Sequence, residues 1–174
     1  MYVIKQIIPS KFCLECKGCC RFRDLNSAWS PALLNIEIEK LMEDGISSLV
    51  ITQEKHLRVE PFEGENNFVC ALLNTADNKC KIYQTRPLEC QIYPFVINLR
   101  KSKVFLAVDL RCPFAQSNKD SEEFKEYSEY LAGFFNQSAQ LDLLRTNPQI
   151  IQQYIDVLNL AEINISCHCE RPKG

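Results

Sequence analysis

The chain has 174 residues, 46% of them hydrophobic and 24% charged, as expected of one soluble globular domain with a real core. Ten cysteines make up about 6% of it, too few for a disulfide scaffold, which starts above ~8%, and too many for chance. Two histidines, His56 and His168, leave little material for histidine-based metal or acid-base sites. The five scattered glycines exclude a phosphate-cradling loop.

The formal charge of -2 is unevenly spread. Residues 1–23 and 76–113 hold twelve Lys and Arg against four acids, and they contain seven of the ten cysteines. Basic surroundings suit a site of anionic thiolates; the plainer account is solvated charge on hairpins and turns. A negative net charge and the lack of a basic stripe interleaved with aromatics argue against nucleic acid. The first ten residues, broken by Lys5, Gln6 and Pro9, carry no secretory signal, and no apolar run approaches ~18 residues. The expectation is a cytoplasmic chain with no membrane span, its thiols kept reduced unless a metal takes them.

In chain order, residues 11–24 read as a cysteine-rich loop. Ser30-Pro31 followed by Leu33, Leu34, Ile38, Leu41 and Met42 predicts a short helix within 31–44, closed before Gly45. Short strands follow at Leu49–Ile51, Leu57–Phe62 and Phe68–Leu72, then a hairpin of Phe95–Leu99 and Val104–Asp109 around the basic tip Arg100-Lys-Ser-Lys103. Asp120-Ser-Glu-Glu123 reads as a capping box ahead of Phe124, Tyr127, Tyr130, Leu131, Phe134 and Phe135 at helical spacing. A shorter helix is expected over Ala139–Arg145. Another starts at Asn147-Pro148, with Ile150, Ile151, Tyr154, Ile155 and Leu158 on one face. Strands before helices give an α+β class: a small, cysteine-rich, metal-centred domain with short antiparallel strands and a helical C-terminal third. The whole of 1–174 reads as one domain, with a metal-binding region over 12–114, helices over 115–165 packed on it, and a flexible tail over 166–174.

The chemistry lies in the cysteines. Cys13-x-x-Cys16-x-x-Cys19-Cys20 puts four thiols in eight residues, with two-residue gaps that let a loop turn successive sulfurs toward one centre. Cys70, Cys80 and Cys90 follow at ten-residue intervals, and Cys112-Pro113 completes a set of eight. Eight thiols make two four-thiolate sites, or one site with spare cysteines. No second C-x-x-C exists, as a zinc ribbon would have, and a run of three at two-residue gaps is closer to an iron-sulfur ligand run. Iron-sulfur is favoured and zinc stays open.

The order Cys13-x-x-Cys16-x-x-Cys19-Cys20, Cys70-Ala-Leu, Cys80-Lys-Ile-Tyr-Gln-Thr-Arg-Pro-Leu-Glu-Cys90 and Cys112 resembles the YkgJ-type cysteine-cluster family, the CxxCxxCC proteins described as zinc- or iron-chelating. The resemblance covers residues 12–114. Gln91 stands where the family often has Arg. The family is similar to the cysteine-rich part of flagellin lysine-N-methylases. The resemblance therefore implies metal ligation by Cys13, Cys16, Cys19, Cys20, Cys70, Cys80, Cys90 and Cys112, and an iron-sulfur cluster, a four-iron one favoured, or zinc. It connects the chain to redox or lysine-methyl-transfer chemistry, with S-adenosylmethionine implied by analogy alone. Arg86, held out of helix by Pro87, and the nearby Tyr83 are candidates for the layer behind the ligands. No residue is assigned as catalytic, and the partner or substrate is unidentified.

Cys167-His168-Cys169 at the tail is a candidate extra metal site. His56 reads as a surface or satisfied histidine. Two further functions compete with the iron-sulfur reading: a structural zinc module without catalysis, and a metal chaperone or thiol sensor using spare cysteines such as Cys20 and Cys169.

Overall fold

Apolar residues on both sides of a basic tip make the hairpin at the centre of the fold. In the computed structural model, which describes residues 4–16, 18–63 and 67–165, β6 (Phe95–Arg100) and β7 (Lys103–Val108) pair antiparallel from Phe95↔Val108 to Arg100↔Lys103. The tip residues Lys101 and Ser102 both have positive φ, 49° and 63°, as in the two-residue turns whose twist matches that of the flanking strands. β8 (Leu158–Ile163) pairs antiparallel with β7, so β7 is the middle of a three-stranded sheet.

Three helices cover that sheet or stand beside it: α4 (Pro113–Asn118), α5 (Glu122–Phe135) and α6 (Ser138–Thr146). The predicted aromatic stripe is the buried face of α5, with Phe124, Tyr127, Leu131 and Phe135 turned inward. Phe95 stacks on Phe124 at 5.1 Å and lies 5.4 Å from Tyr127, which locks the helix to the hairpin. The cap lies one residue later than the sequence pattern indicates. Ser121 Oγ accepts from the Phe124 N-H at 3.3 Å, while Asp120 is drawn off by Lys119 at 2.5 Å.

The N-terminal half builds a second apolar cluster. α1 (Ser10–Glu15) interrupts what reads as a loop, and β1 (Arg21–Phe22), β3 (Phe68–Cys70) and β2 (Val59–Pro61) form a small antiparallel sheet in that spatial order. β4 (Leu73–Asn74) and β5 (Lys79–Cys80) add a two-residue pair. α2 (Asn35–Glu43) begins inside the predicted window, because the Glu37 carboxylate reaches back to the Leu34 N-H at 2.9 Å. Leu49–Ile51 is a 3₁₀ turn at Ser48–Val50 with a single bridge from Ile51 to Leu57 instead of a strand. A short α3 (Leu88–Ile92) joins the two halves.

The helix expected from Asn147 does not form. Pro148–Ile150 makes one 3₁₀ turn, and the chain then runs extended into β8. The reason is competition for backbone groups: Gln152 accepts from the Leu99 N-H at 2.7 Å and donates to the Ile97 carbonyl at 3.2 Å, so β6 takes the partners a helix would need. Asn98, 1% exposed, completes the capture, its Oδ1 accepting from the Tyr154 N-H at 2.9 Å and its Nδ2 donating to Asn159 at 2.9 Å. Asn98→Ala leaves a buried N-H without an acceptor and is expected to cost about 1–3 kcal/mol. A shift in the urea unfolding midpoint at unchanged slope checks this, and an unshifted midpoint contradicts it.

Two large core clusters result, beside a small third one of Val96, Ala107 and Tyr154. One contains Phe95, Leu106, Leu131, Phe135, Cys112 and, at its edge, Cys13; the other contains Leu33, Leu41, Val69, Cys70 and, at its edge, Cys20 and Cys80. Cys13 and Cys112 thus belong with the first cluster, and Cys20, Cys70 and Cys80 with the second. Among the described residues, no helix is long and apolar enough to cross a membrane. The tail motif Cys167-His168-Cys169 lies outside the described residues.

Candidate metal centre

All eight cysteines of the 13–112 set are free thiols, and separate elements deliver them. Cys13 sits in α1, and Cys16 ends that helix with its N-H on the Phe12 carbonyl at 2.9 Å. Cys19 and Cys20 lie on the turn into β1, closed by the Arg21 N-H on the Gly18 carbonyl at 3.0 Å. Cys70 ends β3 and donates its N-H to the Cys20 carbonyl at 3.0 Å. Cys80 is in β5 opposite Leu73, Cys90 is in α3, and Cys112 precedes Pro113 at the start of α4.

Seven of the eight, Cys13, Cys16, Cys19, Cys20, Cys70, Cys80 and Cys90, line one cavity of about 410 Å³. Its size lies in the range of small-molecule sites, roughly 300–1,000 Å³. Cys112 opens instead into a small cavity of about 40 Å³ shared with Cys13, Cys16 and Cys19. Among the described residues, no three Cys, His, Asp or Glu side chains are gathered into a ready metal cage. The sulfurs surround space rather than meet at a point.

Burial disfavours the thiolate at Cys13, Cys70, Cys80, Cys90 and Cys112. It pushes Cys13 and Cys70 up to about 11, raises Cys80 and Cys112, and holds Cys90 well above the ordinary thiol value. Cys19 is the exposed member on the rim, and its hydrogen bond with Cys20 leads burial in raising it. A soft divalent metal or cluster must displace these protons on binding, so uptake strengthens as pH rises.

The donor set fits such a group, and so do its surroundings. Arg86 lies over the Tyr83 ring at 3.9 Å and donates to Gln6 Oε1 at 3.2 Å, while its buried Nε has no acceptor. Its charge favours the thiolates of Cys13, Cys19 and Cys80. Pro87 keeps Arg86 extended (φ -54°, ψ 140°), and Gln91 Nε2 holds the Arg86 carbonyl at 2.7 Å. Arg21 repeats the pattern: it donates to Asn78 at 3.1 Å, lies 5.3 Å from the Phe62 ring, and buries an Nε with no acceptor. Both orphaned donors belong to residues lining the thiol cavity. At Gly18, a Cβ would come within 3.4 Å of Cys16 Sγ, so the loop between the knuckles packs tightly against a sulfur.

The opposite wall was not legible in the sequence. Asp109, 1% exposed, accepts from Tyr93 Oη at 3.0 Å and from Arg111 Nε and Nη2 at 2.9 and 3.0 Å. Arg111 covers the Trp29 ring at 3.7 Å, and Trp29 stands 4.5 Å from Tyr154. No spacing signal links these five residues; only Asp109 and Arg111, flanking Cys112, hint at it. His56 is satisfied, its Nδ1 2.7 Å from the Ser30 carbonyl and away from the cavity.

Two buried carboxyls fix α3, and with it Cys90. Glu37 accepts from the Leu88 N-H at 2.6 Å and the Leu34 N-H at 2.9 Å, and Glu89 accepts from the Ala32 N-H at 2.6 Å. Burial raises Glu37 to about 7 and Glu89 to about 8, with the Glu37 charge adding to the latter. Glu37 therefore holds its proton in the fold at pH values where the unfolded chain, at 4.5, has released it. Its contribution to stability, about 3 kcal/mol, is complete below pH ~4.5 and disappears as pH rises through ~7. Glu37→Gln should flatten the slope of stability against pH between 5 and 8, whatever the absolute cost of the lost acceptor. Denaturant titrations at several pH values read that slope, and one identical to the parent's contradicts the assignment.

Comparison with known proteins supports metal binding in general. No solved structure matches the chain. An uncharacterized protein of Methanocaldococcus jannaschii is 32% identical over 66 residues, 34% of this chain and 36% of that protein, so the match spans about a third of the relative's length. The family model CxxCxxCC, described as "Putative zinc- or iron-chelating domain", matches residues 12–127 and so continues past Cys112 into α5. By a match over well more than half its length, the chain belongs to the CxxCxxCC family of zinc- or iron-chelating domains.

Proposed function

We propose that this chain holds an iron-sulfur cluster in the thiol-lined cavity, with the cysteines of the 13–112 set as ligands and Arg86 and Tyr83 behind them. The observation carrying the reading is size: seven thiols surround about 410 Å³, whereas four sulfurs around one zinc, each at ~2.3 Å, close on a single point. A four-iron cluster spreads its ligand sulfurs farther apart and keeps a net negative charge with four thiolates, which Arg86 and Arg21 are placed to offset.

When bound, the cluster would supply electrons for redox work, or would stand beside a redox-neutral transfer of a methyl group from S-adenosylmethionine to lysine. The chain's own residues do the rest. Arg86 and Arg21 line the cavity with the thiols, each keeping a buried Nε without an acceptor for an anionic centre, and Trp29, Tyr154 and Arg111 line the same volume, where a second molecule would sit. The protein acts in a reducing compartment, the cytoplasm, where the thiols stay available.

One observation favours a second reading, a structural zinc module. Cys13 and Cys112 belong with one apolar cluster and Cys20, Cys70 and Cys80 with another, so a metal shared between them would join both into one domain without any catalysis. Iron, acid-labile sulfide and zinc analysis with an absorption spectrum, on protein purified without oxygen, separates the two. Iron with matching sulfide and a brown chromophore is expected. Colourless protein with stoichiometric zinc selects the structural reading.

A further inference from the structure

One stretch of the large cavity wall is aromatic and acidic where the thiols are accompanied by arginines. Trp29 stands 4.5 Å from Tyr154, which packs with Val96 in the small third core cluster, and all three residues line the cavity. Burial, followed by the charges of Glu89 and Asp109, raises the Tyr154 phenol, so both carboxyls lie near this ring. The segment carrying Trp29 is tied down rather than loose. The Trp29 N-H reaches Ser27 Oγ at 3.3 Å, the Ser30 hydroxyl donates to the Leu57 carbonyl, and the Ala32 N-H donates to Glu89 Oε2 at 2.6 Å.

The two carboxyls are used differently. Asp109 accepts from Tyr93 Oη, from the Arg111 backbone N-H and from the Arg111 guanidinium, so the cation lying over Trp29 is already matched. Glu89 is 9% exposed, and only its Oε2 is engaged. Its Oε1 is buried with no partner among the described residues, although Glu89 belongs to the cavity wall. A buried acceptor without a donor is costly to keep, and a ligand that brings the donor removes that cost.

We propose that this stretch of the cavity binds a protonated amine carried on a flat apolar body, its N-H donating to Glu89 Oε1 and its body lying along Trp29 and Tyr154. The inference rests on the reading that a second molecule sits in the cavity beside the metal, and it requires neither an iron-sulfur cluster nor a particular reaction. Three features select the class. Glu89 Oε1 accepts as a carboxylate oxygen or as the carbonyl of the acid, so the ligand must donate. Two carboxyls stand near Tyr154 against the one guanidinium of Arg111, which leaves a place for one more positive charge. The indole and phenol rings, with Pro31, Leu57 and Val96 in the same lining, favour an apolar body and tolerate a cation beside it. An anion of the same shape meets both carboxyls and is rejected.

Trp29 is the one tryptophan of the chain, so its fluorescence reports directly on this stretch. The full chain as isolated, with its metal, is titrated with phenethylammonium and with two analogues of like shape, neutral phenethyl alcohol and anionic phenylacetate. Calorimetry gives a second readout. The ammonium is expected to change the emission saturably and to bind about tenfold or more tighter than the alcohol, with phenylacetate not binding. An alcohol that binds as well as the amine, or a phenylacetate that binds better, overturns the proposal. Glu89→Gln keeps an oxygen for the Ala32 N-H and puts an amide NH2 where Oε1 stands. It should lose the preference for ammonium over alcohol at the parent's metal content, and a variant that keeps the preference overturns the assignment. The three-probe series on the parent decides the class even where that variant fails to fold. Metal is measured on the same samples. Full metal with no amine binding overturns the subsite and leaves the metal centre standing, whereas amine binding to protein that takes up no metal does the reverse.

Discussion

Cys80→Ser, and equally Cys16→Ser, is expected to lose more than half of the bound metal and about 4 kcal/mol of stability, the contribution of a ligand present at a thousand times its dissociation constant. The serine hydroxyl is nearly the same size as the thiol but is a poor ligand for soft metals. The loss therefore comes from the metal and not from packing. Metal content by mass spectrometry, with melting curves before and after chelator, separates the two: the parent's melting point should fall on chelation and the variants' should hardly move. Soluble variants that melt normally and carry full metal would falsify ligation by these cysteines.

Phe95→Ala should cost about 3–5 kcal/mol, up to half or more of a small domain's total stability. Phe95 is fully buried at the start of β6, stacked on Phe124 and near Tyr127. Removing the ring opens a hole between the central hairpin and α5 that neither rigid element can collapse into. The family match also runs from the cysteine loop into α5, so this contact lies within the shared region. Denaturant unfolding measures the effect, and a cost below ~1 kcal/mol would mean the helix does not depend on the sheet.

How legible these features were depends on how local their causes are. The 95–108 hairpin, α5 and α6 follow from short-range patterns: apolar strands around a two-residue turn, and apolar residues every three or four positions, aromatic in α5 and leucine in α6. The eight thiols were legible because their spacing is itself the signal, and the cavity collects seven of them. The 147–158 segment misled because Ile150, Ile151, Tyr154, Ile155 and Leu158 satisfy a helical period, yet β6 and Asn98 claim its backbone. Nothing local records that claim. The Tyr93, Asp109, Arg111, Trp29 and Tyr154 wall escaped for the same reason: its members meet through the fold and share no spacing. Glu37 and Glu89 carry no sequence signal of their role; only burial reveals them as backbone anchors.

β7 lies between β6 and β8, and this ordering has a consequence for synthesis. On the ribosome, which emits roughly 5–20 residues each second, every cysteine from Cys13 to Cys112 emerges before Leu158–Ile163. For several seconds β7 presents an unpaired edge, and the wall contributed by Tyr154 is missing from the thiol cavity. The nascent chain thus passes through a stage in which all eight of these thiols are made and their enclosure is not. Metal delivered then meets open thiols, whereas metal arriving later must enter past a finished wall. Chains stalled before residue 158 would expose both a sticky strand edge and a reactive thiol cluster, making that interval the one in which the protein most needs its metal or a chaperone.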